Sequence, residues 1–587
     1  MQPHAPGNQG ASSIGDLELT AQVRVGGDRQ AVYSDLWQDL GPAAPASLFD
    51  PGIPAQSRTL RLNRAALAEL LNRAPSELKA DDGEPVLLAL PMPDGSFVRF
   101  RIENSPVLDP DLASQHPEIS SYRGQGIDEP ALTMRCDLSP RGFHALILFG
   151  SRTINLHPAG GSDDSVYVSY FGGDIQDSEA QCLVQDIHSI SPGTVSIAAP
   201  AVAVGPTLRT YRIAIAATWE YCNSYGAGTT AGTIASINTW LNGANAIYER
   251  ELAIHLNLVN DTDVIYSTER GFTAATDPYD NTNVGVMLDQ VRPDLRDRVG
   301  QANYDLGHVF GRIAATGGSG IAFVGVVCNN SNFSGLGPVK GGGATLVGGT
   351  AGNSTALGVW VHELGHQFGA NHNFNGTLGN CGGQRNNGTA RESGSGSTIM
   401  GYSGICAGDN LTNTRDMRFH AGTYADINSY LAGTSCATTS ATGNNAPTVN
   451  GGPDRTIPKN TPFTLTATGD DADAADLPNL TYTWDQIDSG GSLYPQNGTS
   501  ASYNDAADPA TSTRPIFRPF PVSSSPARTL PSLTYIRNNA NDPPDLAAGF
   551  QTAEELPRIG RSVNFRVVIR DNRASGGGVN EDSVLLT

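Results

Sequence analysis

The chain of 587 residues contains no apolar run of the roughly 20 residues that a transmembrane helix requires. Lysine is nearly absent, and only Lys79, Lys340 and Lys459 occur, so arginine supplies nearly all of the positive charge. The formal net charge is −21, and no cluster of basic residues is present that would neutralise phosphates. We therefore expect no membrane span and no nucleic acid partner.

A C-x-x-C pair is also missing, which argues against a thiolate zinc site or a thioredoxin-like redox pair. The first 19 residues lack the basic and apolar regions of a signal peptide. Four of the cysteines nevertheless bracket the segment around residues 362–372, and such a distribution is typical of an oxidising compartment. We expect a secreted or extracellular protein whose signal peptide is not part of this sequence. The cysteines are Cys136, Cys182, Cys222, Cys328, Cys381, Cys406 and Cys436.

Two stretches rich in small residues, 191–209 and 438–454, divide the chain. They predict domains at 1–205, 206–440 and 445–587. The first domain combines a short helix in 65–78 with a hairpin around the Pro-Asp-Gly turn at 93–95 and with further alternating strands. It is expected to be α+β.

The second domain alternates strands, at 210–218 and 252–259, with two long helices, at 231–252 and 354–369. This order predicts an α/β layer architecture with a twisted mixed sheet. The third domain has short alternating strands, such as 463–470 and 564–571, and is expected to be a β-sandwich. Its last strand reaches Thr587, so this domain is a candidate for truncation.

Residues 362–372, HELGHQFGANH, concentrate the chemistry of the chain. His362 and His366 are four residues apart, so on a helix they project from one face and converge on one ion. Gly369 allows the backbone to leave the helix, and His372 then returns as a third ligand. Three nitrogen ligands and a water predict an open catalytic zinc site.

Glu363 lies further round the same helix, where it reaches a water on the metal rather than the metal itself. Zinc acidifies such a water and polarises the scissile carbonyl. Glu363 would take the proton and deliver it to the leaving amine. The alternative, histidines on an ordinary solvated helix, is disfavoured by the third histidine at its fixed spacing.

The string of 362–372 resembles the long zinc signature of the metzincins, and STIMGYSGIC at 397–406 resembles their methionine turn. The resemblance implies that Met400 forms an apolar floor under the ligands. Tyr402 is similar to the tyrosine with which astacins and serralysins stabilise the tetrahedral intermediate. Simple lining of the pocket is the alternative for Tyr402.

Residues 304–328 resemble the segment that leads through the active-site edge strand of the reprolysins. By this resemblance 320–328 is the edge strand, on which an extended peptide pairs through its backbone. Reprolysins carry Asp after the third histidine and Cys two residues before the methionine, where this chain has Asn373 and Thr398. The chain is more similar to bacterial reprolysin-like secreted peptidases.

In those enzymes a propeptide, which 105–148 resembles, precedes the catalytic domain, and Ig-like or PKD-type modules follow it. The resemblance implies a zinc endopeptidase made as a latent zymogen and freed by cleavage near 205–210. Proteins or peptides are the expected substrates, and a monomer is the expected state.

An odd number of cysteines leaves at least one unpaired within the chain. Cys381 with Cys406 and Cys328 with Cys436 are candidate disulfides, and Cys136 is expected to be buried in a strand. Cys182 is a candidate cysteine switch, whose thiolate would cover the open zinc position. The alternatives are a disulfide between Cys182 and Cys136 and an incidental thiol.

Loops 276–283 and 469–476 offer the oxygen ligands that calcium prefers, although solvated turns are the alternative for both. The first carries Asp277, Asp280, Asn281 and Asn283. Two functions are alternatives to the zinc endopeptidase. One is a surface adhesin that binds through its β-sandwich, and the other is a zinc hydrolase that acts on non-peptide substrates.

Overall fold

The computed structural model describes residues 35–42, 53–77, 84–160, 163–175, 181–182, 202–313, 318–349, 354–491, 514–540, 550–574 and 576–587. We call residues 35–175 the N-terminal region and 442–587 the C-terminal region. Residues 202–441 are called the catalytic region, after the zinc site that the sequence predicts there. None of the helices in these ranges is long and apolar enough to cross a membrane.

A nine-stranded antiparallel sheet forms the N-terminal region, in the order β1-β2-β9-β8-β7-β6-β5-β4-β3. The predicted hairpin is confirmed as β3 and β4, and Gly95 takes a φ of +88° in its turn. Two short helices, α1 (Arg64–Leu71) and α2 (Pro110–Gln115), accompany the sheet. The strands are β1 (Trp37–Pro42), β2 (Arg58–Leu62), β3 (Leu87–Pro91), β4 (Phe97–Asn104), β5 (Ser120–Gly126), β6 (Thr133–Ser139), β7 (Gly142–Phe149), β8 (Arg152–Pro158) and β9 (Val166–Phe171).

The catalytic region has a mixed sheet in the order β10-β14-β15-β13-β11-β12, with β16 paired to β11. Strands β11, β12, β13 and β15 run parallel, whereas β14 is antiparallel to β15. The apolar run of β11 reflects burial on both faces, which is typical of a central parallel strand. The strands are β10 (Gln181–Cys182), β11 (Thr207–Ala217), β12 (Ile254–Leu258), β13 (Leu306–Arg312), β14 (Gly318–Ala322), β15 (Gly343–Val347) and β16 (Thr438–Ala441).

Five helices flank this sheet. They are α3 (Trp219–Tyr225), α4 (Thr230–Leu252), α5 (Val284–Leu295), α6 (Ser354–Gln367) and α7 (Ala421–Leu431). The two predicted helices are confirmed as α4 and α6. The Thr229 side chain caps the start of α4 by accepting a hydrogen bond from the Gly232 N–H, and the helix ends at Leu252, before Ala253 with a φ of +49°. Sequence reasoning missed α5, which contains Pro293, and α7.

The predicted edge strand at 320–328 is shorter in the structure, where β14 ends at Ala322. Gly325 has a φ of +65° and Cys328 a φ of +66°, and these left-handed positions end the extended backbone. The predicted linker at 438–454 also contains regular structure, since β16 pairs antiparallel with the start of β11. The catalytic sheet therefore reaches further along the chain than its apolar pattern indicated.

Small sheets make up the C-terminal region, and their side chains share one apolar core around Trp484 and Phe565. Every residue of β20 is buried, because its second face packs on the catalytic region; Asp485 there pairs with Arg418. A complete β-sandwich stays a prediction. The elements are β17 (Thr448–Asn450), β18 (Phe463–Thr466), β19 (Thr468–Asp470), β20 (Thr481–Gln486), β21 (Ala527–Leu530), α8 (Leu533–Arg537), β22 (Val563–Arg570) and β23 (Val579–Leu586).

Candidate active site

Helix α6 carries His362 and His366, and the chain that follows it brings His372 back to them. Each Nδ1 lies at hydrogen-bond distance from a backbone carbonyl. The distance is 2.7 Å from His362 to Ile399 O, 2.8 Å from His366 to Ala370 O and 2.6 Å from His372 to Gln384 O. Because a carbonyl only accepts, each Nδ1 carries the ring proton and each Nε2 keeps its lone pair. The backbone therefore fixes the tautomer in which all three Nε2 atoms present a lone pair to a metal ion.

These three Nε2 atoms converge. The His362 Nε2 lies 3.1 Å from that of His366 and 3.2 Å from that of His372. Burial, together with the neighbouring imidazoles, holds the pKa of His362 and His372 well below the usual range, and burial lowers that of His366 to about 4. Three neutral lone pairs aimed at one point repel each other unless a cation lies between them. The arrangement fits Zn²⁺.

Gly369 makes the return of the third histidine feasible. Its φ is +98°, and its N–H bonds to the His366 carbonyl at 2.8 Å. A Cβ at this position would lie 2.7 Å from the Tyr430 Cβ, so only glycine fits. The predicted exit from the helix is confirmed.

Met400 is fully buried beneath α6, as predicted for a methionine floor. A Cβ on Gly365 would lie 2.6 Å from the Met400 sulfur, so the helix can approach only because residue 365 is glycine. The buried Tyr402 ring lies 4.6 Å from the His372 ring and 4.4 Å from the Phe374 ring, measured between centroids. The Tyr402 ring thus packs beside two of the three histidines.

Glu363 is buried beside strand β14. Any side chain at Gly320 would collide with its carboxylate, so β14 and Glu363 are in direct apposition. On its outer side β14 pairs in parallel with β10, where Gln181 lies opposite Ser319 and Cys182 opposite Gly320. The Cys182 side chain lies outside what the structure describes. The pairing nevertheless brings the Cys182 backbone next to the strand that covers Glu363.

Glu392 is a residue of this site that sequence reasoning missed. It is fully buried, and burial raises its pKa to about 7. Its Oε2 accepts from the backbone N–H groups of Ser397 at 2.7 Å and Thr398 at 3.2 Å, and its Oε1 accepts from the Thr398 hydroxyl and the Asn373 amide. No motif points to Glu392, because only the folded loop brings it to the methionine turn.

The same contacts explain the two departures from the reprolysin pattern. The Asn373 Nδ2 also donates to the Thr398 hydroxyl at 3.1 Å. Asn373 and Thr398 are therefore partners of one another and of Glu392. Together they tie the residue after the third histidine to the loop that carries Ile399 and Met400.

We expect Glu392→Gln to lower the zinc affinity about 10–100-fold, because a glutamine amide would face donors it cannot accept from. The unfolding free energy should fall by about 1–3 kcal/mol. Glu554→Gln is the matched control, since Glu554 is a buried carboxylate that accepts from Ser532 in the C-terminal region. Competition with a chromogenic chelator measures the affinity. Equal affinities in the two variants would remove the positioning role of Glu392.

The loop at 276–283 uses its polar groups within the protein. Asp277 accepts from the Trp219 N–H at 2.7 Å, Asp280 from the Thr282 N–H at 3.0 Å, and Asn283 caps α5. Asn281 binds both backbone groups of Arg312. These hydrogen bonds engage most of the loop's polar side chains, and among the described residues no cluster of metal-ligating groups includes the loop.

In the second candidate loop Asp471, Asp473 and Asp476 lie close together. The Arg573 guanidinium is 3.4 Å from both Asp473 and Asp476 and offsets part of their charge. Calcium is not supported at either loop.

Both candidate disulfides are confirmed: Cys328 bonds to Cys436 and Cys381 to Cys406. Cys136 is a buried free thiol, as expected, so it is not a disulfide partner of Cys182. Cys222 is likewise free and buried. The second disulfide joins the loop after α6 to the end of the predicted methionine turn.

Comparison with known proteins agrees with this geometry. Residues 207–430 match the model of the family described as metallo-peptidase family M12B, reprolysin-like. Residues 207–430 form a reprolysin-like metallopeptidase domain. This domain contains α6, the three histidines, Glu363 and Met400, so the predicted family is confirmed. The N-terminal and C-terminal regions lie outside the match.

Among solved structures, the chain is similar to metalloproteinase-II from Bacteroides fragilis, with a TM-score of 0.33 and 10% sequence identity. The alignment covers 62% of this chain and 93% of that one. No curated protein matches the sequence. The family match over 207–430 supports a zinc-dependent metalloprotease at the level of the family.

Proposed function

We propose that the protein is a secreted zinc endopeptidase made as a latent zymogen. The observation that carries this proposal is the convergence of the three Nε2 atoms near a buried carboxylate that lies against strand β14. The two disulfides are consistent with an oxidising, extracellular location. The family match supports peptide bonds as the substrate.

Zinc held by the three histidines would supply a Lewis acid that acidifies water and polarises the scissile carbonyl. Glu363 acts as general base: its carboxylate takes a proton from the attacking water and passes it to the leaving amine. Gly320 leaves the carboxylate room on the side of β14. Because Glu363 is buried, solvent water is kept away from its carboxylate while it carries the proton to the leaving amine.

Strand β14 binds the substrate. One side of β14 is paired with β15, and its outer side offers backbone groups to an extended peptide. A peptide paired there passes Gly320 and therefore Glu363. In the uncut chain β10 holds this position, and we infer that its pairing keeps the enzyme latent.

The position of Cys182 in β10 makes its thiol a candidate for the open zinc position. We expect Cys182→Ser to raise peptide cleavage by the uncut chain, because a serine hydroxyl is a much weaker zinc ligand than a thiolate. Hydrolysis of a quenched fluorescent peptide measures the change, with Cys136→Ala as a control at a buried thiol. Unchanged latency would leave the backbone pairing of β10 as the whole cause.

Tyr402 is proposed to stabilise the developing oxyanion, with lining of the pocket as the alternative. We expect Tyr402→Phe to lower kcat by about 10²-fold while KM stays nearly constant, since the hydroxyl would act mainly in the transition state. Phe374→Leu, which changes the neighbouring wall without removing a hydroxyl, is the control. An equal effect on kcat from both variants would assign Tyr402 to the wall.

Incubation with unfolded casein tests the proposed function, with mass spectrometry of the products and the Glu363→Gln variant alongside. New peptide termini that depend on Glu363 support an endopeptidase. Binding without cleavage would favour the adhesin. Hydrolysis of simple esters with casein left intact would favour a zinc hydrolase of another specificity.

A further inference from the structure

Helix α4 is enclosed on all sides. Every residue from Thr233 to Leu252 is buried, because the catalytic sheet covers one side of the helix and the N-terminal sheet another. On the N-terminal side the Ser121 hydroxyl donates to Asn238 at 3.0 Å, and the Thr239 hydroxyl donates to Asp137 at 3.0 Å. Residues of the N-terminal region thus cover one side of a central helix of the catalytic region.

Three consecutive residues at the end of α4 bind three parts of the chain. Glu249 pairs with Arg135 of the N-terminal region at 2.5 Å, and Glu251 pairs with Arg570 of the C-terminal region at 2.9 Å. Arg250 between them donates to the carbonyls of Gly150 in the N-terminal region and Met417 in the catalytic region. These α4 residues are only 3%, 3% and 1% exposed, in chain order. Loss of the N-terminal region would remove Arg135 and one acceptor of Arg250.

The apolar contact is continuous across the same boundary. Six N-terminal side chains belong to the core that contains Trp240 and Trp360: Val107, Leu108, Leu112, Ile119, Leu146 and Leu148. The backbone also crosses, because the Leu258 N–H donates to Val107 O at 2.8 Å and the Asp109 N–H donates to Leu258 O at 2.9 Å. These bonds cover the outer edge of β12, which would otherwise be an open sheet edge.

A shared core, a covered sheet edge and buried ion pairs are features of obligate interfaces rather than of transient ones. The three histidines, in contrast, direct their Nδ1 bonds to carbonyls of the catalytic region itself. Of the part of the chain that the structure describes before residue 202, β10 is the segment that pairs with β14. Release of β10 therefore does not require departure of the N-terminal region.

We propose that the N-terminal region remains bound to the catalytic region as a permanent non-covalent subunit after the chain is cut within residues 183–201, which we call the connector. The cut is placed there rather than near 205–210, because β11 already begins at Thr207. This inference rests on the proposed activation by cleavage. It assigns latency to β10 and a structural role to the N-terminal region. The mature enzyme is then a two-chain molecule.

The test uses the full chain with Glu363→Gln and with a recognition sequence for an added specific protease placed within 183–201. After complete cutting, judged on a denaturing gel, we expect both fragments to elute together in size-exclusion chromatography at low micromolar concentration and in high salt. Separation into two peaks would overturn the proposal. Because the variant is inactive, this outcome does not depend on the proposed activity.

Two further arms sharpen the result. Arg135→Glu places a like charge opposite Glu249 and should cause loss of the N-terminal fragment after cutting, whereas Arg61→Glu, at an exposed pair within the N-terminal region, should not. Equal retention in both would overturn the role of the Arg135 pair. With Glu363 intact, a cut complex that stays together and cleaves peptides supports both proposals. A cut complex that stays together without cleaving peptides upholds the retained subunit and contradicts the proposed function.

Discussion

Glu363→Gln is expected to lower kcat for peptide cleavage by about 10²–10⁴-fold while the protein retains its zinc. Glutamine has nearly the shape of glutamate but cannot take the proton of the attacking water. The three ligands keep their carbonyl partners, so the metal content should not change. Peptide hydrolysis after cleavage of the connector, with zinc measured by mass spectrometry on the same samples, checks both parts.

Gly320→Ala provides a second variant at the same point. The new methyl group would displace the Glu363 carboxylate without removing it, so kcat should again fall while zinc stays bound. Gly560→Ala is the control, since a Cβ at this glycine of the C-terminal region would meet open space and its φ is not in the left-handed region. Full activity of Glu363→Gln would exclude Glu363 as the general base.

Arg418→Met is expected to lower the unfolding free energy by about 3–5 kcal/mol. The Arg418 guanidinium donates two hydrogen bonds of 2.8 Å to Asp485, and both side chains are fully buried. Burial alone would raise the pKa of Asp485, but Arg418 outweighs it and the pKa is lowered. Loss of Arg418 leaves a carboxylate in the interior without its cation. Chemical denaturation monitored by tryptophan fluorescence measures the change.

Arg296→Met is the matched control, because Arg296 pairs with Asp297 at the surface, and its effect should be small. In the double variant Arg418→Met with Asp485→Leu, most of the lost stability should return, since no charge then remains unpaired. A single Arg418→Met variant as stable as the control would show that this pair between the catalytic and C-terminal regions does not stabilise the protein.

Sequence reasoning found the features of the site that are local along the chain. The spacing of His362 and His366 is a property of one helix, and the exit at Gly369 depends on a single backbone conformation. The two disulfides were also predictable, because their cysteines bracket recognisable segments. The family resemblance added Met400, which no spacing rule would have placed under the ligands.

The features that escaped prediction depend on contacts between distant segments. Glu392 binds the methionine turn through the fold of a loop that has no periodic pattern. Glu249 and Asp485 look like surface residues by type, yet each is buried beside an arginine from another region. The contact of β20 with the catalytic region was missed for a similar reason. An alternating strand is expected to expose one face, but both faces of β20 are buried.

Removal and return of the metal tests the central claim most directly. The chain, cut in its connector, is treated with a chelator, dialysed and then titrated with Zn²⁺ while cleavage of a fluorescent peptide is followed. We predict loss of cleavage without metal and full recovery at about one zinc per chain, with no recovery in a His362→Ala variant. Cleavage that survives complete removal of the metal, or that zinc does not restore, would contradict the account.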